Sequence, residues 1–554
     1  MTFTTIRAGQ GAESLAWCEG CQSLHNTQTS SIEGISPPLL NYCFVLLFMA
    51  SAFFILRKKR ATPLPLPPGP KSWPFIGSFP EFLKNKPTFR WIHKIMEEMN
   101  TEIMCIRLGN VHVISVTSPE IAIEFLKKQD TVFSSRPVFL SAEVPSRGFL
   151  TTALSPMGEQ WKKMRRVLSS EVLSPARHRW LHGKRVEEAD HLIRFVYNQT
   201  MDSTSAGVVN VRVIAQHFCG NVIRKMIFGK RFFGNGSADG GPGVEEEEHV
   251  SACFMILSHL YGFCVSDYIP LLRGRVDLDG HEKNIRMANA TVAKYQDPEI
   301  DERIKHWTEG TKTEQEDLLD VLIGLKGEAG SPLLSAEEIK AQIVELMIAT
   351  VDNPSNAVEW ALAEMINQPE ILKRATEELD RVVGKERLVQ ESDLPQLNYV
   401  KSCVKEAFRL HPFVPFNVPH VSISDATVGG YFIPKGSHIL LSRPGLGRNP
   451  RAWDEPLQFK PERHMKEGGS NVVLTDPDLK MLSFSTGRRG CPAVNLGSTI
   501  TTILMARLLQ GFSWELPHNV PKIELKEAER DLVLAEPLHA KAQPRLAETL
   551  YQLL

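Results

Sequence analysis

Phe484-Ser-Thr-Gly-Arg-Arg-Gly-Cys-Pro-Ala493 leads directly into apolar residues at helical spacing from about Val494 to Leu509. A cysteine set just before a helix start, among Gly487, Arg488, Arg489 and Gly490, is favoured as thiolate by backbone N–H groups, the helix dipole and nearby cations. Cys491 therefore reads as a strong metal ligand. The other eight cysteines (18, 21, 43, 105, 219, 253, 264 and 403) show almost no paired spacing, as expected of free thiols. Cys18 and Cys21 form the one close pair, without a second pair or histidines at zinc spacing.

Working outward, three constellations bear on this loop. Glu406 and Arg409, at i and i+3, share a helix face, and the helix runs from about Asp393 to the stop at His411-Pro412. Trp161 and Arg165 place two donors, and no acceptor, on one face of an upstream helix. A long apolar helix from Ile339 to Gln368 contains Ala349-Thr-Val-Asp-Asn-Pro354. There Pro354 removes a backbone N–H and disfavours helical geometry at Asn353, so the helix is expected to open locally.

The loop resembles that of the cytochrome P450 family, Phe-x-x-Gly-x-Arg-x-Cys-x-Gly, with Phe484, Gly487, Arg489 and Cys491 in register and Ala493 where glycine is usual. The resemblance implies a mainly α fold with a minor β part and haem b held by an axial Cys491 thiolate. It implies haem contacts from Phe484, Trp161, Arg165, Arg489 and His420, the last three pairing with propionates together with the Trp161 indole. Arg463, in Pro461-Glu-Arg463, would join Glu406 and Arg409 in a structural triad. In such proteins the long helix crosses the haem and an acid and a hydroxyl deliver protons to bound dioxygen. Here Asp352 is kept, while Asn353 and Pro354 replace the usual hydroxyl residues, so Asp352 and Asn353 are the expected catalytic pair.

Within that family, Val351-Asp-Asn-Pro-Ser-Asn-Ala-Val-Glu-Trp360, Asn417-Val-Pro-His420 and Pro461-Glu-Arg-His464 resemble the plant amino-acid N-monooxygenases. This implies two N-hydroxylations of an L-amino acid, then loss of carbon dioxide and water to give an aldoxime, with electrons from NADPH through cytochrome P450 reductase. Phe413, Val414, Phe416 and Asn417 are expected to line the substrate pocket, two phenylalanines suiting an aromatic side chain. Valine or isoleucine is the close alternative. Arg147 is the candidate partner for the substrate carboxylate. Two other readings stay open: a reductase-independent rearranging enzyme of the same fold, and a non-catalytic haem sensor.

The rest of the 554 residues sets the context. A net charge of −1 gives no sign of a nucleic-acid partner. Residues 39–56 carry no charge and are followed by Arg57, Lys58, Lys59 and Arg60, which reads as a transmembrane anchor. The basic cluster places the body in the cytosol and residues 1–38 in the lumen, as in a single-pass endoplasmic reticulum protein. Residues 57–70 read as a basic, proline-rich hinge, and residues 71–554 as the catalytic body. In that body Glu102 to Val116 predicts a hairpin turning at Gly109-Asn110, Ala176 to Tyr197 a helix, Ser335 to Gln368 another, and Gly234 to Glu248 a solvated surface loop.

Overall fold

The hairpin forms as its sequence asks. Strands β1 (Ile103–Leu108) and β2 (Val111–Val116) pair antiparallel with Leu108 opposite Val111, around Gly109 at φ +57°. Residues 64–202, 206–260, 262–465 and 471–552 of the computed structural model are described here. The expected tail, the anchor at 39–56 and the start of the hinge lie outside them. From Leu64 the proline-rich segment is already knit to the body: Phe432 N–H donates to the Pro65 carbonyl at 2.8 Å and Cys105 N–H to that of Pro68 at 2.8 Å. Residues 64–70 of the expected hinge therefore pack within the compact unit Leu64–Leu554.

The helices that build the body are α1 (Glu159–Val167), α2 (His182–Met201), α3 (Val211–Phe228), α4 (Val244–Leu260), α5 (His281–Thr308), α6 (Ala336–Asn367), α7 (Asn398–Leu410) and α8 (Val494–Gly511). Helix α6 is the central rod, buried along most of its length and packed by α3, α7, α8, α4 and α5. Its start is fixed by a capping box: Ser335 accepts from Glu338 N–H while Glu338 accepts from Ser335 N–H. The small sheet runs β1, β2, β4 (His438–Leu441), β3 (His420–Val421), with β2 and β4 parallel. A second sheet joins Val208–Asn210, His539–Pro544 and Phe512–Glu515. The mainly helical reading with a minor β part holds.

Three details differ from expectation. Ala176 to Tyr197 is two helices, Pro175–Trp180 and α2, because Leu181 leaves helical geometry and is buried between them. Helix α6 does not open at Pro354; packing on several sides carries it through, and the Ser355 hydroxyl bonds to the Val351 carbonyl at 2.6 Å and to that of Asp352 at 3.0 Å. Glu245 to Glu248 is the first turn of α4, not a solvated loop, and buried Glu246 accepts from the N–H groups of Phe233, Gly234 and Gly243. The stretch Val244–Tyr268 has the length and composition to cross a membrane, but about half of it (53%) is buried in the body.

Candidate functional site

The loop before α8 is shaped by one obligatory glycine. Gly487 sits at φ +72°, and a Cβ there would meet the Leu126 carbonyl oxygen at 2.4 Å. The chain then makes a single turn over Gly487–Arg489 and returns, with Cys491 N–H donating to the Phe484 carbonyl at 2.8 Å. Ser485 stands at φ +58°, a conformation held against its intrinsic preference. Ala493 caps α8 at φ −98°, ordinary for any residue, and its N–H points at Cys491 Sγ at 3.3 Å. The departure from glycine at 493 thus costs the backbone nothing.

Among the described residues, Cys491 is the one cysteine lining a cavity with about 1760 Å³ of space between its walls, mouth included. Helix α6 lines the same space with Asp352, Asn353 and Pro354; α1 contributes Trp161 and Arg165, and α4 contributes Ile256, Leu257 and Leu260. Phe413, Asn417, His420, Phe484 and Arg489 also line it. The structure therefore brings together most of the residues singled out from sequence. It adds Arg136, Glu345 and Arg443, which the sequence reading passed over.

The charges around this space are unbalanced. Arg489 is fixed by the carbonyls of Ser134 (2.6 Å), Thr152 (3.3 Å) and Ser155 (2.8 Å) and lies 4.6 Å from the Trp161 ring centre. Arg165 donates to the Gly490 carbonyl at 2.8 Å, and Arg136 to the carbonyls of Ala153, Val418 and Pro419. Burial, then the neighbouring Arg136, pushes the Arg489 guanidinium down to about 8. Besides these carbonyl dipoles, the carboxylate of Glu345, which also lines the cavity, favours the charged forms of Arg165 and Arg489. Across the cavity, burial and then Asp531 push the Asp352 carboxyl up to about 8, with Arg443 pulling the other way. Burial thus favours the neutral form of the Asp352 carboxyl.

The sequence model of the cytochrome P450 family matches residues 67–541. The chain belongs to the cytochrome P450 family. It is 58% identical over 492 residues to a phenylalanine N-monooxygenase of Prunus mume, spanning 88% of this chain and 92% of the relative. It is 57% identical over 521 residues to a tryptophan N-monooxygenase of Prunus mume (93% and 98%), and 55% over 530 residues to a valine N-monooxygenase of Manihot esculenta (94% and 97%).

A cytochrome P450 carries a haem bound through a cysteine thiolate, and the cavity suits that group. Trp161 Nε1 is a buried donor without a partner, and the guanidiniums of Arg165 and Arg489 line the same cavity, a donor set suited to carboxylates. Burial pushes the Cys491 thiol up, against the pull of the Ala493 N–H, Arg165 and Arg443, so a metal cation at Sγ is what would hold it as thiolate. His420 fits less simply. Its Nδ1 must donate to the Phe133 carbonyl at 2.7 Å, and burial keeps the ring neutral, which leaves Nε2 an acceptor. It can donate to a propionate only once protonated.

Several residues named from sequence lie elsewhere. Arg147 is not at the cavity: its guanidinium bridges Asp297 and Glu337, at 2.5 and 2.7 Å. Phe416 is buried in an apolar cluster against the His93 ring, and Val414 is buried outside the cavity wall. Glu406, Arg409 and Arg463 do meet, far from solvent. Arg409 donates to both Glu406 oxygens at 2.8 Å, Arg463 to Oε1 at 2.9 Å, and His464, unanticipated, bonds to Oε2 at 2.8 Å. Against the burial that would raise it, Arg409 and His464 hold the Glu406 carboxyl down at about 2.

Proposed function

We propose that this monooxygenase N-hydroxylates an L-amino acid with a large apolar side chain, phenylalanine first, twice, the product losing carbon dioxide and water to give the aldoxime. The observation that carries this reading is the cavity itself, which Asp352, Cys491 and apolar side chains line together. The relatives' names supply the reaction class. In this reading Cys491, Trp161, Arg165 and Arg489 would hold the haem, which would supply dioxygen activation with electrons from NADPH through cytochrome P450 reductase.

The protein's own groups then have defined tasks. Asp352 begins protonated and gives its proton toward the water formed from the second oxygen atom of dioxygen; the resulting carboxylate accepts a proton from the substrate ammonium, freeing the nitrogen lone pair that oxidation requires. Its role is thus donor first, acceptor second. Asn353 offers a donor and an acceptor to hold oxygen and water beside it. Arg443, over the Phe413 ring at 4.9 Å and on the cavity wall, replaces Arg147 as the carboxylate partner. Leu154, Ile256, Leu257, Leu260 and Phe413 exclude water around the side chain.

Residues 39–56 and the cations that follow support anchorage as a single-pass protein of the endoplasmic reticulum with the body in the cytosol. The test is a panel of L-amino acids given to membranes carrying the protein and a reductase, with aldoximes read by mass spectrometry. NADPH-dependent oxime from phenylalanine supports the reading. Oxime from no amino acid overturns it, and turnover without NADPH favours the reductase-independent alternative.

A further inference from the structure

Outside the cavity, the connection from α4 to α5 gathers three different ligand types. Cys264, Asp279 and His281 bring a sulfur, a carboxylate oxygen and an imidazole nitrogen within 4.8 Å of one another. Cys264 and His281 are buried, at 1% and 7% exposure, and Asp279 opens to solvent. His281 Nε2 is buried without a hydrogen-bond partner, an arrangement that is unfavourable unless something binds there. The Asp279 carboxylate is steered by the N–H groups of Val265 at 3.3 Å and His281 at 3.4 Å. The Cys264 sulfur has the Ser266 hydroxyl at 3.1 Å and is a free thiol.

We propose that Cys264, Asp279 and His281 bind one zinc-type divalent cation that clips the end of α4 to the start of α5. A mixed sulfur, nitrogen and oxygen set selects zinc over calcium or magnesium, which prefer oxygen alone. Tetrahedral ligands at ~2.0–2.3 Å stand roughly 3.5 Å apart, so closing the site asks for movements of about 1 Å. The fourth position falls to water or to His259, whose ring lies 4.7 Å from that of His281 and whose Nδ1 is already engaged by the Met255 carbonyl. The Cys264 thiol proton leaves for solvent as the metal binds. Lys86 is the competing cation, its charge felt by Cys264, Asp279 and His281 while its ammonium sits over the Phe82 ring at 4.1 Å.

The consequence concerns the cavity, because α4 supplies Ile256, Leu257 and Leu260 to its wall. A metal at the end of α4 would hold that wall and shield residues 262–280 from proteases. The test uses tag-free, full-length holoenzyme in lipid nanodiscs, stripped with a chelator and titrated with Zn²⁺ against a fluorescent zinc indicator. The expected result is one zinc per haem, zinc-dependent protection of 262–280, and affinity at least ~10–100-fold weaker in C264S and H281A. D279N, the mildest change, should weaken binding about 10-fold. The reduced, carbon monoxide-bound spectrum should be unchanged throughout, since Cys491 is untouched. Less than stoichiometric zinc at saturation in the parent protein, or equal affinity in the parent and D279N, overturns the proposal, and both readings stand if C264S fails to fold.

Discussion

Replacing Asp352 by asparagine separates what this residue costs the fold from what it gives the reaction. Its carboxyl is buried and pushed up to about 8, against 3.8 for an ordinary aspartate. Below about 3.8 both folded and unfolded chains hold the proton. Between there and about 8 only the folded chain does, so parent stability is greatest at the acid end and falls by about 1.4 kcal/mol per pH unit until it levels above 8. At pH 7 the accumulated cost is up to about 4 kcal/mol. Asparagine does not titrate. D352N should therefore exceed the parent in stability by little near pH 4, by about 4 kcal/mol at pH 7 and by about 5 kcal/mol at pH 8, read as a melting gap that widens with pH by circular dichroism and haem absorbance. The same variant should lose about 10²- to 10⁴-fold in aldoxime formation, the range for a missing proton-transfer group. A melting gap that ignores pH, or full turnover by D352N, would refute the reasoning.

Other outcomes follow from the same contacts. E406Q leaves fully buried Arg409 without its charge partner and should cost about 3–5 kcal/mol in unfolding free energy; because the Glu406 carboxyl is held at about 2, the stability it confers is present above about pH 4.5 and is lost as pH falls toward 2. R489A unpairs three buried carbonyls and removes a cation from the cavity, so haem content per polypeptide after gel filtration should fall sharply. R147A should lower stability by about 1–3 kcal/mol and leave the KM for the amino acid unchanged, whereas R443A should raise that KM. N353T should keep the haem spectrum and change the aldoxime formed per NADPH consumed; unaltered coupling removes Asn353 from the mechanism.

What was legible in the sequence was whatever chemistry ties to local spacing. The Cys491 loop, the Trp161 and Arg165 pair, and Glu406 with Arg409 are each set by a turn or a helix face, and each lies where spacing puts it. The hairpin at Gly109-Asn110 is of the same kind. Arg147 was misplaced because its partners, Asp297 and Glu337, come from distant helices, and nothing nearby in sequence marks a bridging arginine. Arg136 and Arg443 were missed for the converse reason: only the assembled fold turns them to the cavity. His464 carried a signal, standing next to Arg463 in a short helical turn that aims both at Glu406. Pro354 was over-read, since its local preference yields to the packing that surrounds α6.

The central claim is that oxygen from dioxygen is placed on the amino nitrogen inside the cavity between Asp352 and Cys491. L-phenylalanine labelled with ¹⁵N, turned over by reductase-supplied membranes under ¹⁸O₂, tests it in one mass spectrum. The account predicts an aldoxime that keeps the ¹⁵N, carries one ¹⁸O and has lost the carboxyl carbon. A product that keeps the carboxylate, or an oxime oxygen drawn from water, would contradict it.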